Sequence, residues 1–176
     1  MISNIKEDGE VLEFPKWEGE CIYMEPFTIG KALPFLLRRW QEVIKRMTNG
    51  LQEEQAFLMV DQAYVRQGTF HRRAGLHIDG SWNGVDHGHR IQKEADTLIL
   101  ATDVLGCIAY IGEYDEKLIK EGGNCECVSL QNMKAIPLRA NTIFKGNAYT
   151  LHASLPMLVS SQRTVVRINV SAKHLQ

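Results

Sequence analysis

Five residues in this chain have types and spacing that suggest chemistry: His77 and Asp79 in the first half, a lone His152 much later, then Arg163 and Arg167. Two imidazoles and one carboxylate can occupy one face of an iron(II) ion and leave the opposite face open for substrates and O2. If residues 77–79 are extended, side chains two apart point to the same side, so His77 and Asp79 reach one metal together. Gly75 before them and Gly80 after them would let the backbone approach closely and then turn away. Taken alone, a His-x-Asp tripeptide is equally a surface histidine beside a turn-forming Asp-Gly pair. His152 adds weight to the metal reading. It lies in an apolar stretch that runs into Pro156, as a strand opposing the first would. A satisfied core histidine is the alternative at that position.

The two arginines raise a similar choice. With period-2 alternation, Arg163, Val165, Arg167 and Asn169 share one face of a strand, and Thr164, Val166, Ile168 and Val170 share the other. Guanidinium groups on such a face are either solvated on an edge strand or forks that grip a carboxylate in a mostly apolar pocket.

Other polar groups compete for attention. His87 and His89, followed by Glu94 and joined to His152, form a rival ligand set of the cupin type. A cupin's second motif carries Pro-x-Gly shortly before its histidine, where this chain has Thr150-Leu151. Residues 86–90 therefore read better as a polar loop at the mouth of a site. Arg66, His71, Arg72 and Arg73, with His87, His89 and Arg90, make the surrounding sequence locally basic. That is either a solvated loop or a cationic rim drawing in an acidic or phosphate-bearing small molecule. Trp82 is either an aromatic wall over that site or simply packed. Cys125 and Cys127 are too close for an ordinary disulfide and lack a matching pair for zinc, so all four cysteines (with Cys21 and Cys107) are expected to be reduced thiols.

The elements that would position these groups follow from periodicity. Leu33, Leu36, Trp40, Val43, Ile44 and Met47 fall at helical spacing, predicting a helix over about 28–48, capped by Thr28 and ended by Asn49-Gly50. It is expected to buttress a sheet. Strands are predicted over 56–66, 98–101, 106–111, 134–137, 142–144, 149–153 and 163–171. Gly122-Gly123-Asn124 and Gly146-Asn147 read as turns, 114–120 as a short helix, and 1–25 as an irregular start with one or two short strands. The expectation is an α+β, mostly β fold: a jelly roll or related double-stranded barrel over 56–171, supported by residues 1–50, in one domain.

Bulk composition narrows the function classes. A net charge of −1 gives no general attraction to nucleic acid or to an anionic membrane. No apolar run approaches the roughly 20 residues needed to cross a bilayer, and residues 1–10 do not read as a signal peptide. A cytoplasmic location is expected.

On these residues the chain resembles the Fe(II)/2-oxoglutarate-dependent dioxygenase superfamily, the double-stranded β-helix oxygenases. The family pattern is His-x-Asp/Glu, a distal His, and an Arg or Lys a short way after it. The resemblance implies that His77, Asp79 and His152 are the catalytic iron ligands. It implies that Arg163 binds the distal carboxylate of 2-oxoglutarate, as in the taurine dioxygenase type. Arg167-Ile168-Asn169 resembles the Arg-x-Ser element of the penicillin-biosynthetic oxygenases, with Asn for Ser, so Arg167 is a second candidate anchor for the co-substrate or for an acidic substrate. The implied cofactors are Fe(II), 2-oxoglutarate as co-substrate, and O2. The implied reaction is hydroxylation or another oxidation of an unactivated C–H bond in a small metabolite, coupled to decarboxylation of 2-oxoglutarate to succinate and CO2. A cupin-type metal enzyme and a non-catalytic jelly-roll binding module remain as alternatives. The expected partner is a small molecule, not nucleic acid or membrane, and the short chain leaves room for a homo-oligomer that completes the pocket.

Overall fold

The computed structural model describes residues 1–79, 85–86, 89–90 and 95–171. Three strands open the chain: β1 (Ile2–Ser3), β2 (Ile5–Val11) and β3 (Cys21–Thr28). A 3-10 turn (Phe35–Trp40) runs into α1 (Gln41–Met47), followed by the long β4 (Gln55–Val65). Next come the two-residue pair β5 (Val85–Asp86) and β6 (His89–Arg90), then β7 (Ala95–Thr102), β8 (Cys107–Glu113) and β9 (Lys134–Pro137). The last three strands are β10 (Thr142–Asn147), β11 (Leu151–Ser154) and β12 (Ser161–Ser171).

The larger sheet has the order β2-β10-β7-β12-β4-β3, and every neighbouring pair is antiparallel. The smaller sheet is built on β8, which pairs with β1, β9 and β11. His77 extends that sheet through a bridge to His152 on β11. Along the chain, β4 is in the large sheet, His77 in the small one, and β7 in the large one. β8 and β9 return to the small sheet, β10 to the large, β11 to the small and β12 to the large. That winding between two antiparallel sheets is the expected mostly-β jelly roll.

One apolar cluster joins the helical segment to the large sheet. Leu37, Trp40, Val43, Ile44 and Met47 pack on Leu58, Val60, Ile99, Val166 and Ile168. The helix is therefore the expected buttress, but it is shorter than 28–48. Thr28 does not cap it; it is the last residue of β3 and pairs with Gln55. Gly30, at φ +80, turns the chain out of the strand, and Pro34 disfavours helical backbone at the residue before it. The first helical residues then follow a three-residue period, which lines up Leu37 with Trp40 and leaves Leu36 51% exposed, off the expected face.

The amino-terminal region is more regular than expected. β2 forms one edge of the large sheet against β10, and β3 forms the other against β4. Gly146-Asn147 ends β10 and opens the expected turn, in which the Thr150 N–H donates to the Asn147 carbonyl at 3.0 Å; a Cβ at Gly146 would run into Thr150 and the Asn4 carbonyl. The 114–120 helix shrinks to a 3-10 turn at Glu116–Leu118, with the Asp115 side chain accepting from the Lys117 N–H at 2.9 Å. Of the expected 86–90 loop, Asp86, His89 and Arg90 join Val85 in a small β5–β6 ladder (Val85↔Arg90, Asp86↔His89). Gly80, Trp82, His87 and Glu94 lie outside the described residues. All four cysteines are free. Among the described residues, no helix is long and apolar enough to cross a membrane.

Candidate metal centre

His77 and His152 face each other directly across two antiparallel segments. The N–H of each donates to the carbonyl of the other, at 2.9 and 3.0 Å. Such a pair projects both side chains to the same side at short range, and the ring centroids are 4.3 Å apart. A second set of hydrogen bonds aims the rings. Nδ1 of His77 lies 2.9 Å from the Gly75 carbonyl, and Nδ1 of His152 lies 2.9 Å from the Thr150 carbonyl. A carbonyl can only accept, so each Nδ1 carries a proton and each Nε2 is the nitrogen turned toward the cavity, where a metal would take it.

Asp79 follows after one buried residue. Ile78 donates its N–H to the Gly123 carbonyl at 3.0 Å and packs with Leu76, Tyr114, Cys125 and Leu151, away from the two rings. A Cβ on Gly123, whose φ is +72, would strike the Ile78 carbonyl, so this close approach requires glycine. Asp79 Oδ2 then lies 3.2 Å from His152 Nε2. One donor atom from each of His77, Asp79 and His152 falls within 4.8 Å of the others. Adjacent donors on one ion at ordinary bond lengths of about 2.1 Å are about 3 Å apart. A small side-chain movement that tightens the widest separation would let the set hold a divalent metal on one face.

Electrostatics prepares the same groups. Burial, and then the neighbouring His152, pushes the His77 pKa down to about 4; the Arg73 charge acts in the same direction. For Asp79, burial works to raise the pKa, but Arg167 and His152 outweigh it and hold the carboxyl well below its ordinary range. At neutral pH the centre thus offers a neutral His77 imidazole and a carboxylate.

β12 supplies both arginines. It lies between β7 and β4, so it is an interior strand, not an edge. Val166, Ile168 and Val170 face the helix side, while Arg163, Val165 and Arg167 line a cavity of about 160 Å³ that also holds His77, Asp79 and His152. Arg163 is 1% exposed. Its Nε donates to Thr102 Oγ1 at 3.2 Å, and its Nη1 has no partner among the described residues. Gly106 makes room for it: a Cβ there would lie 2.6 Å from the guanidinium carbon. The nearby Cys107 thiol, pushed up to about 12 by burial, supplies no negative charge. Arg163 is therefore a buried cation facing the cavity with no ion-pair partner in contact among the described residues, while Asp103 and Asp61 act on it from farther off.

Arg167 is placed differently. Its Nη1 lies 2.6 Å from Asp79 Oδ2 and its Nη2 donates to Met24 Sδ at 3.6 Å. It lines the cavity as the second cation expected from the sequence, but its charge is already engaged by Asp79. Of the basic stretch, Arg72 and Arg73 reach the cavity lining. Asp61, which the sequence did not single out, receives Arg72 Nη1 at 2.7 Å and sits 3.1 Å from His71 Nε2. The close approach of His71, with Arg72 and against the opposing effect of burial, lowers the Asp61 pKa to about 2. Neither Asp61, Thr102 nor Gly106 belongs to a motif, and only three-dimensional proximity identifies them. The rival cupin set is not brought together among the described residues: His152 is joined to His77 and Asp79, and His87 and Glu94 lie outside them.

No family model matches this chain, and no curated protein matches it. Among solved structures it is similar to EvdO2 from Micromonospora carbonacea var. aurantiaca complexed with 2-oxoglutarate, at 14% identity and a TM-score of 0.47, over 85% of this chain and 67% of that one. It is also similar to an oxidoreductase of the 2OG-Fe(II) oxygenase family from Burkholderia pseudomallei, at 9% identity and a TM-score of 0.43, over 87% and 75% of the two chains. A Pseudomonas putida prolyl-4-hydroxylase matches at 10% identity and a TM-score of 0.38, over 87% and 74%.

Proposed function

We propose that this chain is an Fe(II)- and 2-oxoglutarate-dependent oxygenase that oxidises a C–H bond of a small molecule. One observation carries the reading: the His77, Asp79 and His152 donors converge on the same cavity as the Arg163 guanidinium, whose Nη1 has no partner among the described residues. A two-histidine, one-carboxylate face is the donor set of non-haem iron(II) oxygenases, and a buried fork with a donor to spare is a receptor for a carboxylate.

The residues have distinct tasks. His77 and His152 give their Nε2 lone pairs, and the Gly75 and Thr150 carbonyls keep those lone pairs aimed. Asp79 gives one oxygen and neutralises part of the ion's charge. Arg163 takes the distal carboxylate of 2-oxoglutarate, with Thr102 fixing the plane of its guanidinium through Nε. Leu100, Leu138, Phe144 and Val165 line the cavity between these polar ends, limiting water and orienting the co-substrate chain. When bound, iron with 2-oxoglutarate and O2 supplies the oxidising power, releasing succinate and CO2.

The test is anaerobic. Protein loaded with Fe(II) should develop a visible absorption band on addition of 2-oxoglutarate, and admitting O2 should yield succinate. Asp79→Ala should bind no iron and show no band. A wild-type protein that binds Fe(II) yet gives neither band nor succinate would refute the oxygenase reading and favour a non-catalytic module.

A further inference from the structure

Arg72 and Arg73 are held at the cavity lining by contacts that spend only part of their donor capacity. Arg72 gives Nη1 to Asp61 at 2.7 Å, and Nε2 of the neighbouring His71, whose side chain is 2% exposed, lies 3.1 Å from the same carboxylate. Arg73 gives Nη1 to the Gly122 carbonyl at 2.6 Å. Both guanidinium groups are thereby fixed in place while facing solvent, Arg72 half-buried and Arg73 exposed. Fixing them before a ligand arrives removes much of the ordering entropy that a flexible arginine loses on binding.

Among the described residues, the charges lining the cavity do not cancel: there are four arginines, Arg72, Arg73, Arg163 and Arg167, and one carboxylate, Asp79. Asp79 is matched by Arg167 and Asp61 by Arg72. Arg163 is matched by the co-substrate under the function proposed above. That leaves Arg73, with no carboxylate among the described residues within 4.0 Å of it. A divalent ion would only add to the excess. A positive, partly walled site concentrates anions and speeds their arrival.

We infer that Arg73, with Arg72 beside it, is a second oxyanion site at the mouth of the cavity, and that the molecule oxidised here is anionic, held by its carboxylate or phosphate. The word "oxidised" rests on the oxygenase reading; the oxyanion site itself does not.

The experiment uses protein loaded anaerobically with Fe(II) and 2-oxoglutarate, followed through the visible band. Matched probes are titrated: N-acetyl-L-amino acids against their N-acetyl amides, and phosphoserine against serine. The anionic member should perturb the band at a concentration about tenfold lower or more, as expected for a charge-assisted pair. The probe class with the larger preference separates carboxylate from phosphate. Arg73→Gln should abolish the preference, and Arg73→Lys should retain part of it. The 2-oxoglutarate concentration that half-saturates the band should stay the same in both variants. Equal response to both members of each pair, no response to either, or a preference that survives in Arg73→Gln overturns the proposal. If no band forms at all, the oxygenase reading has failed instead. The same probes are then titrated by calorimetry into metal-free protein. There, an anion preference lost in Arg73→Gln supports the oxyanion site, and its absence refutes it.

Discussion

A histidine binds metal only when the correct nitrogen is bare, and here one backbone carbonyl per ring decides which nitrogen that is. The low pKa of His77, about 4, means that protons compete for its lone pair only in acid. The share of the affinity for a probe ion such as Co(II) that His77 supplies is therefore expected to be lost as pH drops through about 4, with Asp79 taking up its proton only at lower pH still. A titration followed by the Co(II) spectrum checks this; affinity that persists unchanged well below pH 4 would contradict it. Arg167 is the other decisive residue. In metal-free protein it is the close counter-ion of Asp79, with side-chain exposures of 7% and 13%. Arg167→Met should cost roughly 3 kcal/mol in urea unfolding of the metal-free form, and much less once a divalent ion replaces the lost charge. The triad was legible because its residue types and order are rare together. The Arg167–Asp79 pairing was not, since whether Arg163 or Arg167 is left free depends on side-chain paths that alternation does not specify.

At the level of elements, β12 shows what a strand can do when both its faces are buried. One face, with Val166 and Ile168, is held by the helix; the other presents arginines into a cavity. Period-2 alternation in the sequence separated those faces correctly, but it could not distinguish an interior strand from an edge. Pairing with β4 and β7, far away along the chain, decides that. The same limit left the one or two short strands expected within 1–25 without bounds or partners; β2 and β3 take their full length because β10 and β4 offer them edges. The turn before β8 gives a specific prediction. Gly106→Ala would place a methyl group 2.6 Å from the Arg163 guanidinium carbon. Arg163 has no solvent to retreat into, so 2-oxoglutarate affinity should fall by about tenfold or more, with Fe(II) binding unchanged. Equilibrium titration of each separates the two effects. Unaltered 2-oxoglutarate affinity would mean that Arg163 is not its anchor.

Across the whole molecule, the centre is assembled from segments that unfolding would scatter: His77 before β7, Thr102 at the end of β7, His152 on β11, and the arginines of β12. No partial fold brings them together, so ligands should bind the native state alone. At a hundredfold excess over its dissociation constant, each bound ligand stabilises by about 2.7 kcal/mol. For a chain of this size that is a rise in Tm of roughly 5–10 °C. Fe(II) followed by 2-oxoglutarate under argon should raise the midpoint in two steps, and a chelator should reverse both. A 2-oxoglutarate step that appears without metal would indicate binding elsewhere.

The reciprocal main-chain pairing of His77 with His152 has a wider implication. Because peptide groups, and not the ligand side chains, keep the two segments in register, the mould survives when what it casts is changed. Exchanging a single donor would alter which element the cavity prefers while the surrounding architecture stays in place. New reactivity is therefore within reach of point substitution on this scaffold, without the invention of another fold.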